Sequence, residues 1–325
     1  MTRCRIQLAL IALLALPVTA IAQGAGDYPN KPVSWIVAAS AGGGTDFETR
    51  LYAIKVSEAL GKPFVVDYKP GAGSTIGAAY VAKAAPDGYT ILTMTPSHTI
   101  SPMVYPNLPY DLIKDFSGIS LASKRPSLIT VQPAFPAKDL KEYLAYAKAH
   151  PTEVNFGTSG AGTSGHLALE WMHKAAGVQV TYIHFKGGGP SLAAFLQGQL
   201  NAVISTAVGT LPQVKAGKAR VLAVTTLERT QALPDVPSLH ELGFTGFEYA
   251  QFVAVVAPAK TPAPIREKLS GELAKIVKSP DIASKLSNDG TIMIGSTPEF
   301  VSKYLADEAA RWRKIVTDTG IKLAE

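Results

Sequence analysis

Residues 33–61 read VSWIVAASAGGGTDFETRLYAIKVSEALG. The opening VSWIVAA is a run of β-branched, aromatic and small apolar side chains, the composition of a strand buried on both faces. AGGG then interrupts it. From about Thr45 to Leu60 the apolar residues Phe47, Leu51 and Ile54 recur at i, i+4 and i+7, the spacing of a helix, until Gly61 stops it. A buried strand passing through a glycine loop into a helix is a β-loop-α unit, and such units build parallel sheets covered by helices.

The unit repeats along the chain. A strand at Phe64 to Val66 leads through GAGSTIGA into a helix, and a strand from Tyr89 to Thr95 ends at Ser97-His98-Thr99. Leu140, Tyr143, Leu144 and Ala147 mark a helix, Asn155-Phe156 a short strand, and Leu167 and Trp171 the inner face of the next helix. Thr181 to Phe185, Ala202 to Ser205 and Val221 to Thr225 are three more strands with helices between them. The expected fold class is α/β with mainly parallel sheets. About three hundred residues exceed what one core accommodates, so two domains are expected. SKRPS at 123–127 interrupts two apolar runs and is a candidate crossover. A return near Thr225 then makes the second domain an insertion. The expected division is 23–122 with 227–325 as one lobe and 123–226 as the other, the C-terminal helices packing back on the first.

The N-terminus reads as an export signal over residues 1–22. Arg3 and Arg5 precede an apolar run from Leu8 to Ala20, and Ala20-Ile21-Ala22 before Gln23 has the small-x-small form of a signal-peptidase site. The single cysteine, Cys4, falls inside that signal, which leaves no cysteine for disulfides, thiolate catalysis or metal binding in the exported chain. Lys and Arg number 31 against 25 Asp and Glu, a net charge of +6; without Arg3 and Arg5 this is 29 against 25, or +4. The excess is dispersed, with no basic block for a nucleic acid, but a mild positive field favours a small anion.

Four glycine-rich turns stand at strand-to-helix junctions, where the free N–H groups of helix N-termini point: 41–46, 71–77, 157–166 and 186–190. GAGSTIG is one residue longer than the dinucleotide fingerprint G-x-G-x-x-G. Gly157, Gly162, Thr163 and Ser164 fit the phosphate-loop spacing, except that Thr163 stands where the lysine belongs. Ser159 and Ser164 each lack the final glycine of a nucleophile elbow. The six histidines contain no H-x-x-x-H pair, and His166, Glu170 and His173 read as one solvated helix face. Thr45 and Glu48 have the form of a capping box, in which the helix fills its first turn with its own carboxylate. After Thr163 no acid follows until Glu170, so the donors of that helix end are open to an external anion. Charge-assisted hydrogen bonds contribute about 1.5 to 3 kcal/mol each, so about four give roughly 6 to 12 kcal/mol before association costs.

Further stretches complete a set. YPNKPVSWIVAASAGGGTD, KPGAGSTIGAAYVAKAAPDGYTIL, YPNLPYDLIKDFSGISLAS, NFGTSGAGTSGHLALE, IHFKGGGPSLAAFLQGQLNAVIS and VKAGKARVLAVTTLERTQALPDVPSLHELG follow one another in order. Together they closely resemble the Bug family, the periplasmic solute receptors of tripartite tricarboxylate transporters. The resemblance implies a type II periplasmic binding protein, a two-lobed Venus-flytrap clamshell that closes on a carboxylated solute and presents it to membrane components of a transporter. It implies a monomer without cofactor or metal, and no catalysis. Carried over, it assigns ligand contact to Ser40, Ala41, Gly42, Gly43, Gly44, Thr45 and Asp46, to Ser97, His98 and Thr99, to Ser159, Gly160, Thr163, Ser164 and His166, and to Lys186, Gly187 and Gly188.

Two departures bear on the ligand. Ala38, Ala39 and Ser40 replace the prolines or phenylalanine usual in that family, which implies a roomier or more polar floor. The strand after GQL commonly carries two acids, but here reads Asn201-Ala202-Val203-Ile204-Ser205. A buried ammonium needs a compensating charge, so Ser205 in place of an acid points to an amine-free carboxylate. Trp35, Phe47, Tyr249 and Phe252 are candidates for an aromatic slot that would suit a ligand such as terephthalate; aliphatic di- and tricarboxylates fit equally. The competing readings are an exported hydrolase using Ser164 and His166, and a receptor that feeds a sensor kinase.

Overall fold

A computed structural model describes residues 27–320 apart from 106 and 287–289. The signal sequence, Cys4 and the cleavage site lie outside the described residues. The first half of the chain runs β1 (Val33–Val37), α1 (Gly44–Leu60), β2 (Phe64–Tyr68), α2 (Thr75–Ala82), β3 (Thr90–Met94), α3 (Pro96–Val104), β4 (Phe116–Val131), α4 (Leu140–Ala149) and β5 (Asn155–Thr158). The second half runs α5 (Ser164–Ala176), β6 (Thr181–His184), α6 (Gly188–Leu196), β7 (Ala202–Thr206), α7 (Ala207–Lys215), β8 (Arg220–Val224), β9 (Ala250–Pro258), α8 (Ala263–Val277), α9 (Pro280–Leu286), β10 (Ile292–Met293) and α10 (Pro298–Thr319).

The strands are ordered β2-β1-β3-β9-β4-β7-β5-β6, with β8 and β10 also paired to β4. Pairing is parallel within β2-β1-β3 and within β7-β5-β6. It is antiparallel wherever β4 and β9 are involved. The two parallel sectors follow from the βα units legible in sequence, and the antiparallel centre is what joins them. SKRPS lies inside β4, sixteen residues long, which pairs with β9 up to Pro126, with β7 from Ser127 and with β8 from Leu128 onward. At this change of partner Thr225 ties three segments together. Its N–H donates to Ser127 O and its hydroxyl to Tyr249 O, while Tyr249 N–H returns to Thr225 O.

Burial of the helix faces differs from the sequence reading at α1. Its inner face is Asp46, Glu48, Thr49, Tyr52, Ala53 and Val56, whereas Ile54 is 56% exposed. Tertiary contacts override the apolar period because Glu48 is drawn inward by Arg125 of β4, with Ser123 and Tyr52 donating to the same carboxylate. The helix α10 also does more than cover the first sector. Val301 and Leu305 pack there, and Trp312 packs in the second core with Tyr249 and Trp171. Among the described residues no helix is long and apolar enough to cross a membrane.

Candidate functional site

The C-terminal ends of both parallel sectors face one cavity of about 380 Å³. Six helix N-termini reach it, those of α1, α2, α3, α5, α6 and α7. At α1 the N-cap is Gly43, with no side-chain cap, so Asp46 occupies the third helical position and its carboxylate reaches back to the Gly42 N–H at 2.8 Å. The expected Thr45–Glu48 capping box is therefore absent: the helix starts earlier than the sequence pattern placed it, which moves the acid of its first turn from Glu48 to Asp46. Arg50 Nε at 2.9 Å and the Tyr68 hydroxyl at 2.7 Å complete the partners of Asp46, which is 1% exposed. It orders the loop and has no free oxygen charge for a ligand.

The helices α2, α3, α5, α6 and α7 have no acid in their first turns. Their entry residues Ser74, Ser97, Thr163, Gly188 and Thr206 all line the cavity. At α5 the N-cap is Thr163, as its spacing implies, and its hydroxyl donates to Gly160 O at 2.8 Å. The positive ends of these helix dipoles thus converge on one volume. The charged side chains that line it are Lys186 and the neutralised Asp46.

Most expected contacts fall on this wall: Ser40, Gly42, Gly43, Gly44, Thr45 and Asp46 from the first loop, Ser97 and His98, Ser159, Gly160 and Thr163, Lys186, Gly187 and Gly188, and Ser205. Ala38 and Ala39 form part of the same surface. Four expected residues do not line it. Ala41 is exposed. Thr99 turns into α3, where its hydroxyl donates to Pro96 O at 2.8 Å. Ser164 is fully buried behind the wall, 3.2 Å from Ser97 Oγ and 3.0 Å from the Tyr249 hydroxyl. His166 accepts from Gly162 N–H at 3.3 Å through Nδ1, with Nε2 3.4 Å from Glu170.

The helix face of His166, Glu170 and His173 is not solvated. His166 is 6% and His173 2% exposed, and the His173 ring sits between the hydroxyls of Tyr143 at 2.9 Å and Tyr182 at 2.7 Å. Neither partner of the Ser164 hydroxyl is a histidine, so a serine nucleophile there has no base. The aromatic slot is also corrected. Trp35 and Phe252 are fully buried, and Phe47 packs against the first core; of the four aromatics, Tyr249 alone lines the cavity. The wall also includes residues that the sequence does not single out, among them the Gly71–Ser74 turn, Thr93, Thr95, Tyr105, Ser127, His184 and Gln251. The 71–77 turn carries a signal, its place between strand and helix, but the residues carried over from the family do not include it.

The Ser40–Gly43 loop of the first sector and the Lys186–Gly189 turn of the second touch each other beside the cavity. Ser40 N–H donates to Lys186 O at 3.2 Å, and a Cβ at Gly189 would lie 2.7 Å from Gly42 C and 2.9 Å from Ala41 O. Deeper in, a Cβ at Gly44 would lie 2.4 Å from Thr206 Oγ1. Glycine is needed here for close approach between the two sectors.

His98 takes part from the floor. Its Nδ1 accepts the Thr95 N–H at 3.0 Å, which leaves the proton on Nε2 as a donor. Desolvation by burial lowers its pKa to about 4, against the opposing effect of the Thr95 backbone bond, and burial lowers His173 to about 3. Both are therefore neutral donors or acceptors near neutral pH. Because the unfolded chain protonates these rings near 6.5 and the folded chain only near 4 and 3, the unfolded state binds more protons in that interval, and stability falls as pH drops below 6.5. The expected slope is about 1.4 kcal/mol per pH unit for each group. Denaturant midpoints measured from pH 8 to 5 should be flat above 7 and fall below 6.5; a flat profile throughout contradicts the burial of these rings.

The fold and its site define a two-lobed solute-binding protein. A family model described as tripartite tricarboxylate transporter family receptor matches residues 49–321, and the chain belongs to that family. It is 31% identical over 312 residues to protein BugT of Bordetella pertussis, covering 95% of this chain and 94% of that one. The periplasmic binding protein BugD superposes with a TM-score of 0.87 at 31% identity, covering 91% and 99% of the two chains. R. palustris Rpa4515 with adipate gives 0.86 at 33% identity, over 91% and 99%. MatC from Rhodopseudomonas palustris with bound malate gives 0.85 at 29%, over 89% and 100%. These relatives are binding proteins, and this chain is a receptor of the same kind, not an enzyme.

Proposed function

We propose that this receptor captures an amine-free di- or tricarboxylate between its lobes in the periplasm and delivers it, as a monomer, to the membrane components of a tripartite tricarboxylate transporter. The observation that carries this reading is the convergence of five acid-free helix ends on one cavity whose single uncompensated charge is Lys186. The adipate and malate bound to its relatives support the ligand class. Ser205, whose hydroxyl pairs with Thr210 at 2.5 Å, supports the absence of an amine, because no carboxylate stands there to receive one. The lobes we propose divide at the two crossings, near Ser127 in β4 and between Thr225 and Ala250. Terephthalate belongs among the probes, since Tyr105, Phe185 and Tyr249 line the cavity.

A thermal-shift screen over mono-, di- and tricarboxylates tests the class, because a ligand that binds only the native state raises the melting temperature. Calorimetry of succinate against aspartate and of glutarate against glutamate tests the amine: tighter binding of the amino acid in both pairs would refute it. Ser164→Ala removes hydrogen bonds that link Ser97 of α3 to Tyr249. The expected result is an affinity loss of about tenfold, the worth of one hydrogen bond, with no ester hydrolysis before or after the change.

A further inference from the structure

We propose that the ligand of this cavity carries a hydroxyl group beside its carboxylate, and that Gln251 is the residue that selects it. The inference rests on the reading of the cavity as a carboxylate site. Of the buried side-chain nitrogen and oxygen atoms without a hydrogen-bond partner among the described residues, two belong to residues of the cavity wall: His98 Nε2 and Gln251 Oε1. They are opposite in kind. His98 Nε2 carries a hydrogen, because Nδ1 accepts from Thr95. Gln251 Oε1, a carbonyl oxygen, can only accept, while the amide nitrogen gives one of its two hydrogens to the Tyr249 hydroxyl at 2.6 Å.

Tyr249 Oη is 3.0 Å from Ser164 Oγ, which is 3.2 Å from Ser97 Oγ, and Ser97 Oγ also accepts the Ser164 N–H at 3.2 Å. The distances allow one continuous direction, in which Gln251 donates to Tyr249, Tyr249 to Ser164 and Ser164 to Ser97. The Ser97 hydroxyl then accepts two hydrogen bonds from Ser164 and keeps its own hydrogen for the cavity it lines. Ser97 and His98, adjacent at the start of α3, are thereby a donor pair suited to one carboxylate. Gln251 Oε1 is left as an acceptor that a carboxylate at neutral pH cannot satisfy.

A ligand hydroxyl satisfies it. An ammonium group also carries hydrogens, but the cavity offers it no free counter-charge: Asp46 is committed to Gly42, Arg50 and Tyr68, and position 205 is a serine. A neutral O–H donor close to a carboxylate is the chemistry that matches all three groups, which makes a hydroxycarboxylate the substrate class.

The test is calorimetry on matched pairs: succinate against malate in both enantiomers, glutarate against 2-hydroxyglutarate, and terephthalate against 2-hydroxyterephthalate. A site built to accept a hydroxyl discriminates against the analogue that leaves its buried acceptor unpaired, so the hydroxylated member of the best-fitting pair should bind about ten- to a hundredfold tighter. In Gln251→Met, which keeps the length and removes the acceptor, that ratio should fall to about one. Equal or weaker binding of the hydroxylated member in every pair overturns the proposal while leaving the carboxylate receptor intact. A preference that persists in Gln251→Met overturns the role of Gln251. No binding by any member overturns the carboxylate reading itself. The wild-type ratios decide the ligand class even where the variant fails to fold.

Discussion

Gly189→Ala is expected to weaken ligand binding by about a hundredfold or more, roughly 2.7 kcal/mol, while leaving the unfolding of the ligand-free protein almost unchanged. The added methyl carbon would stand 2.7 Å from Gly42 C, 2.9 Å from Ala41 O and 3.0 Å from Gly42 O. Carbon atoms in contact prefer about 3.5 to 4.0 Å, and these neighbours are main chain that cannot swing aside as a side chain does. The loops therefore have to part by roughly 1 Å, and donors placed on both sides of a ligand then cannot all reach it at once. Gly189 lies in the first turn of α6 and has no left-handed φ, so alanine suits its backbone and the fold bears no strain. Gly271→Ala in α8, where a Cβ meets nothing within 4 Å, is the matching control. Calorimetry with the tightest carboxylate of the panel decides: binding by Gly189→Ala within about threefold of wild type, or 0.7 kcal/mol, means that contact between the loops is not needed for capture.

The second large effect is on stability. Glu48 and Arg125 form a buried ion pair, 0% and 1% exposed, between α1 and β4. Removing one member strands the other charge in a low-dielectric interior, which costs about 3 to 5 kcal/mol. Glu48→Ala should therefore lower the melting temperature by about 10 °C in a protein of this size. Arg125 is already short of partners, since its Nε and Nη2 have none among the described residues, so without Glu48 it has no anion at all. The double variant Glu48→Leu, Arg125→Met removes both charges and should recover most of the loss. Additive losses in the two single variants and the double variant would show that the pair is not coupled. Ser127, two residues along β4 from Arg125, lines the cavity, so this pair braces the strand that carries part of the site.

The elements that were legible in sequence are those whose signal is local. VSWIVAA has a strand's composition whatever lies next to it, and Gly61 ends a helix because it adopts φ of 68° at little steric cost. The same holds at the opening of α5, where Thr163 caps the helix and no acid stands in the first turn, so its anion-seeking end is legible locally. The resemblance to the family supplied the loops as a set. What was misread depended on partners far along the chain. Glu48 has the spacing of a capping residue, but Arg125, seventy-seven positions away, competes for its carboxylate and wins. Trp35 and Phe252 have the chemistry of a ligand slot, but their strands run through the middle of the sheet and bury them.

Strand and helix periods, capping residues and turn glycines act over a few residues, so the chain's own order was enough to give an α/β protein with glycine loops at its strand ends. Which groups those loops meet is another matter. Ser97 and Ser164 are sixty-seven positions apart, and Gln251 reaches them through Tyr249 only because β9 runs beside β4 where the two sectors join. The pattern of donors and acceptors in the cavity arises from that crossing. No period in the sequence encodes it, because hydrogen-bond complementarity at a site depends on atoms within about 3 Å in space and not on their separation along the chain.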